Sequence, residues 1–188
     1  MRIILASKSP RRRELLREIV ENFDIITKDV DETLPDGVHP REGVEILALR
    51  KGEAVAKEHP NALVISSDTL VELFGVPLGK PRDREDAIDM LTRLSGRAHN
   101  VHTGVAVHYQ GKSYSGVAST AVYFRELCGE EITEYVDSGD PMDKAGAYGI
   151  QSGGGKFVEK TVGDFDTVVG LSVPLTKKLI YEAENDEG

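Results

Sequence analysis

Three consecutive arginines, Arg11-Arg12-Arg13, follow Ser7-Lys8-Ser9-Pro10 near the start of the chain. Ser9 is a capping residue and Pro10 suits the first position of a helix, so the arginines fall in a first helical turn. The helix dipole is already positive there, and each cation is unfavourable by roughly 0.3–1 kcal/mol. Glu14 offsets only part of this conflict. A bound anion removes it, because helix N-termini bind phosphate readily, and Ser7 and Ser9 add hydroxyl donors. The same residues also allow a solvated basic turn whose arginines pair with acids elsewhere.

Lys51 is a second anomaly. Val44, Leu47, Ala48, Ala54 and Val55 make an apolar stripe at helical spacing, and Lys51 falls within it. A lysine facing a core needs an anion or a route to water. Asp68 closes the run Leu63-Val64-Ile65-Ser66-Ser67, which reads as a buried strand. Carboxylates at strand ends in α/β folds are well placed for a cleft, although a lone aspartate there also serves as a cap. Asp29, Asp31 and Glu32, in an acidic loop, supply further hard oxygen donors of the kind that suit magnesium or manganese.

Other patterns are excluded. Gly75 and Gly79 are separated by three residues rather than four, and Pro81 follows Lys80 where a P-loop needs serine or threonine. The glycines of 146–155 have no strand-turn-helix context for a dinucleotide fingerprint. The histidines lack zinc spacing, and Cys128 is the only cysteine, which argues against a zinc site, a cysteine protease and a disulfide framework.

The elements that must hold these residues alternate in type. Strands are predicted over 2–6, 23–26, 63–73, 101–109 and 113–124, the last two forming a hairpin turned by Gln110-Gly111. Helices are predicted from Pro10 and over 42–59, 83–94, 130–136 and 175–184, with a loop over 29–40 and a frayed acidic tail over 184–188. The class is α/β with a mixed sheet, read as a single domain over 1–188. Of the 188 residues, 39% are hydrophobic and 29% charged, and the net charge is −9. That balance supports a core and disfavours sequence-independent nucleic-acid binding, so any phosphate site must be a local basic cluster. The lack of a membrane-length apolar run and of a signal peptide places the protein in the cytoplasm, with no membrane partner.

Taken together, Leu5-Ala6-Ser7-Lys8-Ser9-Pro10-Arg11-Arg12, Ser67-Asp68-Thr69, Leu78-Gly79-Lys80-Pro81 and Asp143-Lys144-Ala145-Gly146-Ala147-Tyr148-Gly149-Ile150-Gln151 resemble the Maf family of nucleoside triphosphate pyrophosphatases. The resemblance spans nearly the whole chain in the right order. It implies an elongated mixed sheet with flanking helices and two lobes around a cleft, similar to inosine triphosphate pyrophosphatases. It also implies a divalent cation, magnesium or manganese, and hydrolysis of a nucleoside triphosphate to monophosphate and pyrophosphate.

By the same resemblance, Asp68 is the general base and a metal ligand, with Glu32 the second metal ligand. Ser7, Arg12, Lys51 and Lys80 bind phosphate, and Arg11, Thr69 and Gln151 mark the branch acting on dTTP and UTP. Two departures stand out: Gly52 replaces a common alanine, and Gly170-Leu171-Ser172 replaces a usual Gly-Leu-Pro. A purine or 7-methyl-GTP substrate, a non-catalytic division regulator using the same pocket, and a homodimer remain open alternatives.

Overall fold

Two short apolar runs, 2–5 and 62–65, lie side by side as the parallel centre of a seven-stranded mixed sheet. The computed structural model describes residues 1–186. Strand β1 (Arg2–Leu5) leads into helix α1 (Pro10–Arg17), β2 (Asp24–Ile25), helix α2 (Pro40–Ala56) and β3 (Ala62–Leu73). Helical crossovers allow β2, β1 and β3 to run parallel. Next come β4 (Val76–Leu78), α3 (Arg84–Leu94), β5 (Ala98–Tyr109), β6 (Lys112–Phe124) and α4 (Gly129–Asp137). Short 3-10 turns, β7 (Val158–Val162), α5 (Phe165–Val169) and α6 (Val173–Asn185) complete the chain. The sheet order is β2-β1-β3-β5-β6-β7, with β4 pairing on β3.

Strands β3 and β5 are each twelve residues long and feed two separate cores. Leu63, Ile65, Val105 and Val107 pack with Leu16, Leu171 and Leu179 in one. Val71, Leu73 and Val101 pack with Leu91, Leu94, Phe124, Tyr135 and Phe157 in the other. These cores are the two lobes the resemblance implies. Residues 66–70 of β3 lie on the border between them.

Helix α2 crosses the sheet at very close range. A Cβ on Gly104 would collide with the Val44 backbone, and one on Gly52 with the His108 ring and Ser66 Oγ. Gly52 therefore departs from alanine because His108, buried on β5, occupies the methyl position. The second departure is equally local. Ser172 caps α6, accepting from the Leu175 N–H, while its hydroxyl donates to Asp164 Oδ2 at 2.7 Å.

The mixed α/β class, the β5–β6 hairpin and the cap of α1 match the sequence reading. Ser9 accepts from the Arg12 N–H and Pro10 takes the first position. Helix α2 begins at Pro40 rather than 42, because His39 caps it through Nδ1, and it ends at Ala56, four residues before Pro60. The tail is more ordered than expected: α6 reaches Asn185, and Asp186 accepts from the Tyr114 hydroxyl. Residues 187–188 lie outside the described residues. Strand β7 and helix α5 escaped the sequence reading. Both are five residues long, too short for a clear period.

Candidate active site

The site is a gap in the sheet. One edge of β3 pairs with β5 over residues 64–72. On the other edge β1 covers only 62–65, and β4 covers only 71–73. Among the described residues, no strand faces 66–70 there. Asp68 is thus in the middle of a strand, opposite Gly104, rather than at a strand end as the sequence suggested. The end that matters belongs to β1, which stops at Leu5 and delivers Ser7, Ser9 and the first turn of α1 to the opening. The resulting cleft holds about 640 Å³. Asp68, Glu32, Arg11, Arg12, Lys51, Lys80, Thr69 and Gln151 all line it.

Lys51 does not escape to solvent. Its Nζ donates to Asp68 Oδ1 at 2.5 Å and lies 2.9 Å from Glu32 Oε1. The Lys51 and Asp68 side chains are 20% and 14% exposed and Glu32 is 61% exposed, so the triad runs from the sheet outward to water. The apolar stripe of α2 aims the lysine at the gap, and the two carboxylates stabilise the cation there. No donor among the described residues reaches Asp68 Oδ2.

Arg12 is held by neutral oxygens. Its Nε donates to the Gly170 carbonyl at 2.8 Å, Nη2 to Thr69 Oγ1 at 3.2 Å and Nη1 to Ser7 Oγ at 3.4 Å. Burial lowers its pKa; Asp68 opposes this, Arg11 adds to it, and Glu32 opposes it. A guanidinium stays charged regardless. Arg12 is therefore a half-buried cation whose hydrogen bonds among the described residues all go to uncharged acceptors, which favours an incoming anion.

The predicted residues differ in how they reach the cleft. Ser7 is 8% exposed and does not line it; its Oγ accepts from the Ser9 N–H and from Arg12, so it sits behind the arginine. Thr69 is also committed to Arg12. Thr103 donates its proton to the Thr167 carbonyl, so the Thr69 hydroxyl donates to Thr103 and accepts from Arg12. Arg11, Lys80 and Gln151 make no side-chain hydrogen bond or ion pair among the described residues. Asp140, Asp143, Lys144 and Tyr148 also line the cleft. Sequence reasoning assigned them no role: Asp143, Lys144 and Tyr148 stood inside the quoted motif, whereas nothing near Asp140 marks it.

Among the described residues, no group of three or more His, Cys, Asp or Glu is placed to hold a metal ion. Asp68 and Glu32 are two carboxylates already turned toward one positive charge, the Lys51 ammonium. This donor set fits magnesium, which keeps several waters and is bound by one or two carboxylates plus substrate phosphates.

The site is thus a gap in an α/β sheet, floored by a carboxylate and rimmed by cations. The family model of the Maf-like proteins matches residues 2–183. The chain belongs to the Maf family. It is 45% identical over 181 residues to a Bacillus velezensis protein named dTTP/UTP pyrophosphatase, covering 96% of each chain. A Pelotomaculum thermopropionicum protein of the same name is 49% identical over 171 residues, covering 90% of each. The solved Staphylococcus aureus Ham1 protein aligns with a TM-score of 0.47 at 20% identity, covering 78% of this chain and 85% of that one.

Proposed function

We infer that this chain is a nucleoside triphosphate pyrophosphatase that hydrolyses dTTP and UTP to the monophosphate and pyrophosphate. The observation that carries this reading is the convergence of Arg11, Arg12, Lys51 and Lys80 with Asp68 and Glu32 on one cleft of a chain whose net charge is −9. Arg12, Lys51 and Lys80 together exceed what one terminal phosphate needs, and a departing pyrophosphate uses them. The relatives' names supply the two bases.

Water attacks the α-phosphorus, and Asp68 takes its proton through the carboxylate oxygen that Lys51 leaves open. The bond from the α-phosphorus to the bridging oxygen breaks, and pyrophosphate leaves with the electron pair. Arg12, Lys51 and Lys80 spread the charge that develops on the phosphate oxygens. Ser7 holds Arg12 in place rather than touching substrate. Asp68 and Glu32 would hold a magnesium or manganese ion, which supplies Lewis-acid charge against the phosphate oxygens. Gln151, with both donor and acceptor, reads the polar edge of the pyrimidine beside Arg11, and Thr69 bears on that choice through its hydrogen bond to Arg12.

Turnover on a panel of canonical triphosphates with magnesium or manganese tests this reading. dTTP and UTP should give monophosphate and pyrophosphate faster than the purines, and chelation should stop the reaction. Inorganic phosphate plus a diphosphate as products would overturn it.

A further inference from the structure

The turn that carries Gln151 is tied to a single carboxylate outside the catalytic group. Asp140 Oδ2 accepts from the Ser152 hydroxyl at 2.6 Å and from the Tyr135 hydroxyl at 2.6 Å. Tyr135 Oη in turn accepts from the Gly149 N–H at 3.1 Å. Asp140 Oδ1 accepts from Lys144 Nζ at 3.1 Å, and the same ammonium reaches the Asp140 carbonyl at 2.6 Å and Asp143 Oδ1 at 2.8 Å. One carboxylate thus joins helix α4, through Tyr135, to the 3-10 turn Asp140–Asp143 and to both ends of the segment 149–152.

We propose that Asp140 is the positioning residue for base selection, fixing the turn 149–152 so that Gln151 meets the base in one orientation. The proposal rests on the reading of the chain as a base-selective pyrophosphatase. Gly149 is clamped through Tyr135 and Ser152 is clamped directly. Ile150 packs against both cores. Gln151 and Ser152 are the exposed residues of the turn, and of the two only Gln151 makes no side-chain hydrogen bond among the described residues. A glutamine on a loose turn would pay ordering entropy on binding and could rotate to suit either a pyrimidine or a purine edge. Discrimination by hydrogen bonding requires that a mismatched base leave fixed polar groups unpaired.

The chain of donors is also self-consistent. Tyr135 is 4% exposed, so its hydroxyl needs a partner. Burial raises its pKa and Asp140 raises it further, so it remains a donor at neutral pH. Burial pushes the Asp140 carboxyl up, but bonds from Ser152, Tyr135 and Lys144 outweigh it and leave the group below its ordinary value. Charged acceptors strengthen each bond they take, and bonds in series polarise one another.

The test compares Asp140→Ala, Tyr135→Phe and Ser152→Ala with the unaltered enzyme, by kcat/KM on dTTP and GTP and by amide hydrogen exchange at Gly149. Asp140→Ala should lower the dTTP-to-GTP ratio by about tenfold, through KM for dTTP rather than kcat. The other two variants should each lower it by less. Exchange at Gly149 should quicken in Asp140→Ala and Tyr135→Phe and stay unchanged in Ser152→Ala, which leaves that amide's acceptor in place. A folded Asp140→Ala with the original ratio and exchange rate would overturn the proposal. Should that variant not fold, the ratio in the two milder ones and the Gly149 exchange in Tyr135→Phe decide: an unchanged ratio in both with unchanged exchange in Tyr135→Phe would overturn the proposal. An unaltered enzyme indifferent to the base would sink the functional reading, and the exchange rates would still decide whether Asp140 holds the turn.

Discussion

The two ends of the cleft are built on opposite principles. At the phosphate end, Arg12, Lys51 and Asp68 stand on regular elements, α1, α2 and β3, and ionic groups meet at short range. At the other end, Tyr148, Ile150 and Gln151 stand on the loop between two 3-10 turns, supported by aromatic edges, a neutral Tyr148–His99 hydrogen bond and the staple on Asp140. On the proposed reading, a rigid scaffold holds the chemistry common to every triphosphate, and a stapled loop holds the choice among them. Changes at the first end should depress all substrates alike, and changes at the second should redistribute them.

The largest effect belongs to Asp68→Asn. Losing a general base costs about 10²- to 10⁴-fold in kcat, and every triphosphate should suffer equally while the fold survives. Steady-state rates on dTTP, UTP and GTP check this; a loss confined to pyrimidines would break the division between the ends.

Arg12→Ala and Lys80→Ala come next. Charge-assisted contacts are worth roughly 1.5–3 kcal/mol, which converts to about ten- to a hundredfold in kcat/KM, again whatever the base. Unchanged rates in both variants would move the phosphates elsewhere. Arg12→Ala should be the more damaging, because it also releases Ser7, Thr69 and the Gly170 carbonyl.

Gln151→Ala should narrow the gap between dTTP and GTP by about tenfold while lowering the GTP rate little. An unaltered preference would leave the chemistry standing and remove Gln151 from base selection.

The contrast also explains what was legible in the sequence. Lys51 on an apolar stripe and three arginines in a first helical turn are violations of local rules, and both residues the violations pointed to, Lys51 and Arg12, line the cleft. Asp68 was found for an imperfect reason: the strand that ends beside it is β1, and pairing registers are not visible in a chain read alone. Ser7 was taken for a ligand contact, yet it is buried behind Arg12, because the period of a loop does not reveal which way a side chain points. Asp140 broke no rule. Its partners at positions 135, 144 and 152 are joined by folded turns, and an aspartate beside proline reads as an ordinary turn former.

The smallest effect on turnover at neutral pH concerns the base end's support. His99, 3% exposed, shares a 2.7 Å hydrogen bond with the Tyr148 hydroxyl. Burial lowers its pKa from 6.5 to about 4. The folded state thus resists protonation that the unfolded chain accepts. Its contribution is complete above pH 6.5 and is lost as the pH falls toward 4, a change on the order of 3 kcal/mol. Denaturant midpoints across that range should decline, and His99→Gln should flatten the decline.

The proposed reaction has water, directed by Asp68, attack the α-phosphorus in the sheet gap. Turnover of dTTP in ¹⁸O-labelled water tests it most directly. Mass spectrometry should find the label in the thymidine monophosphate and none in the pyrophosphate. Label in the pyrophosphate would place the attack on the β-phosphorus and contradict the account.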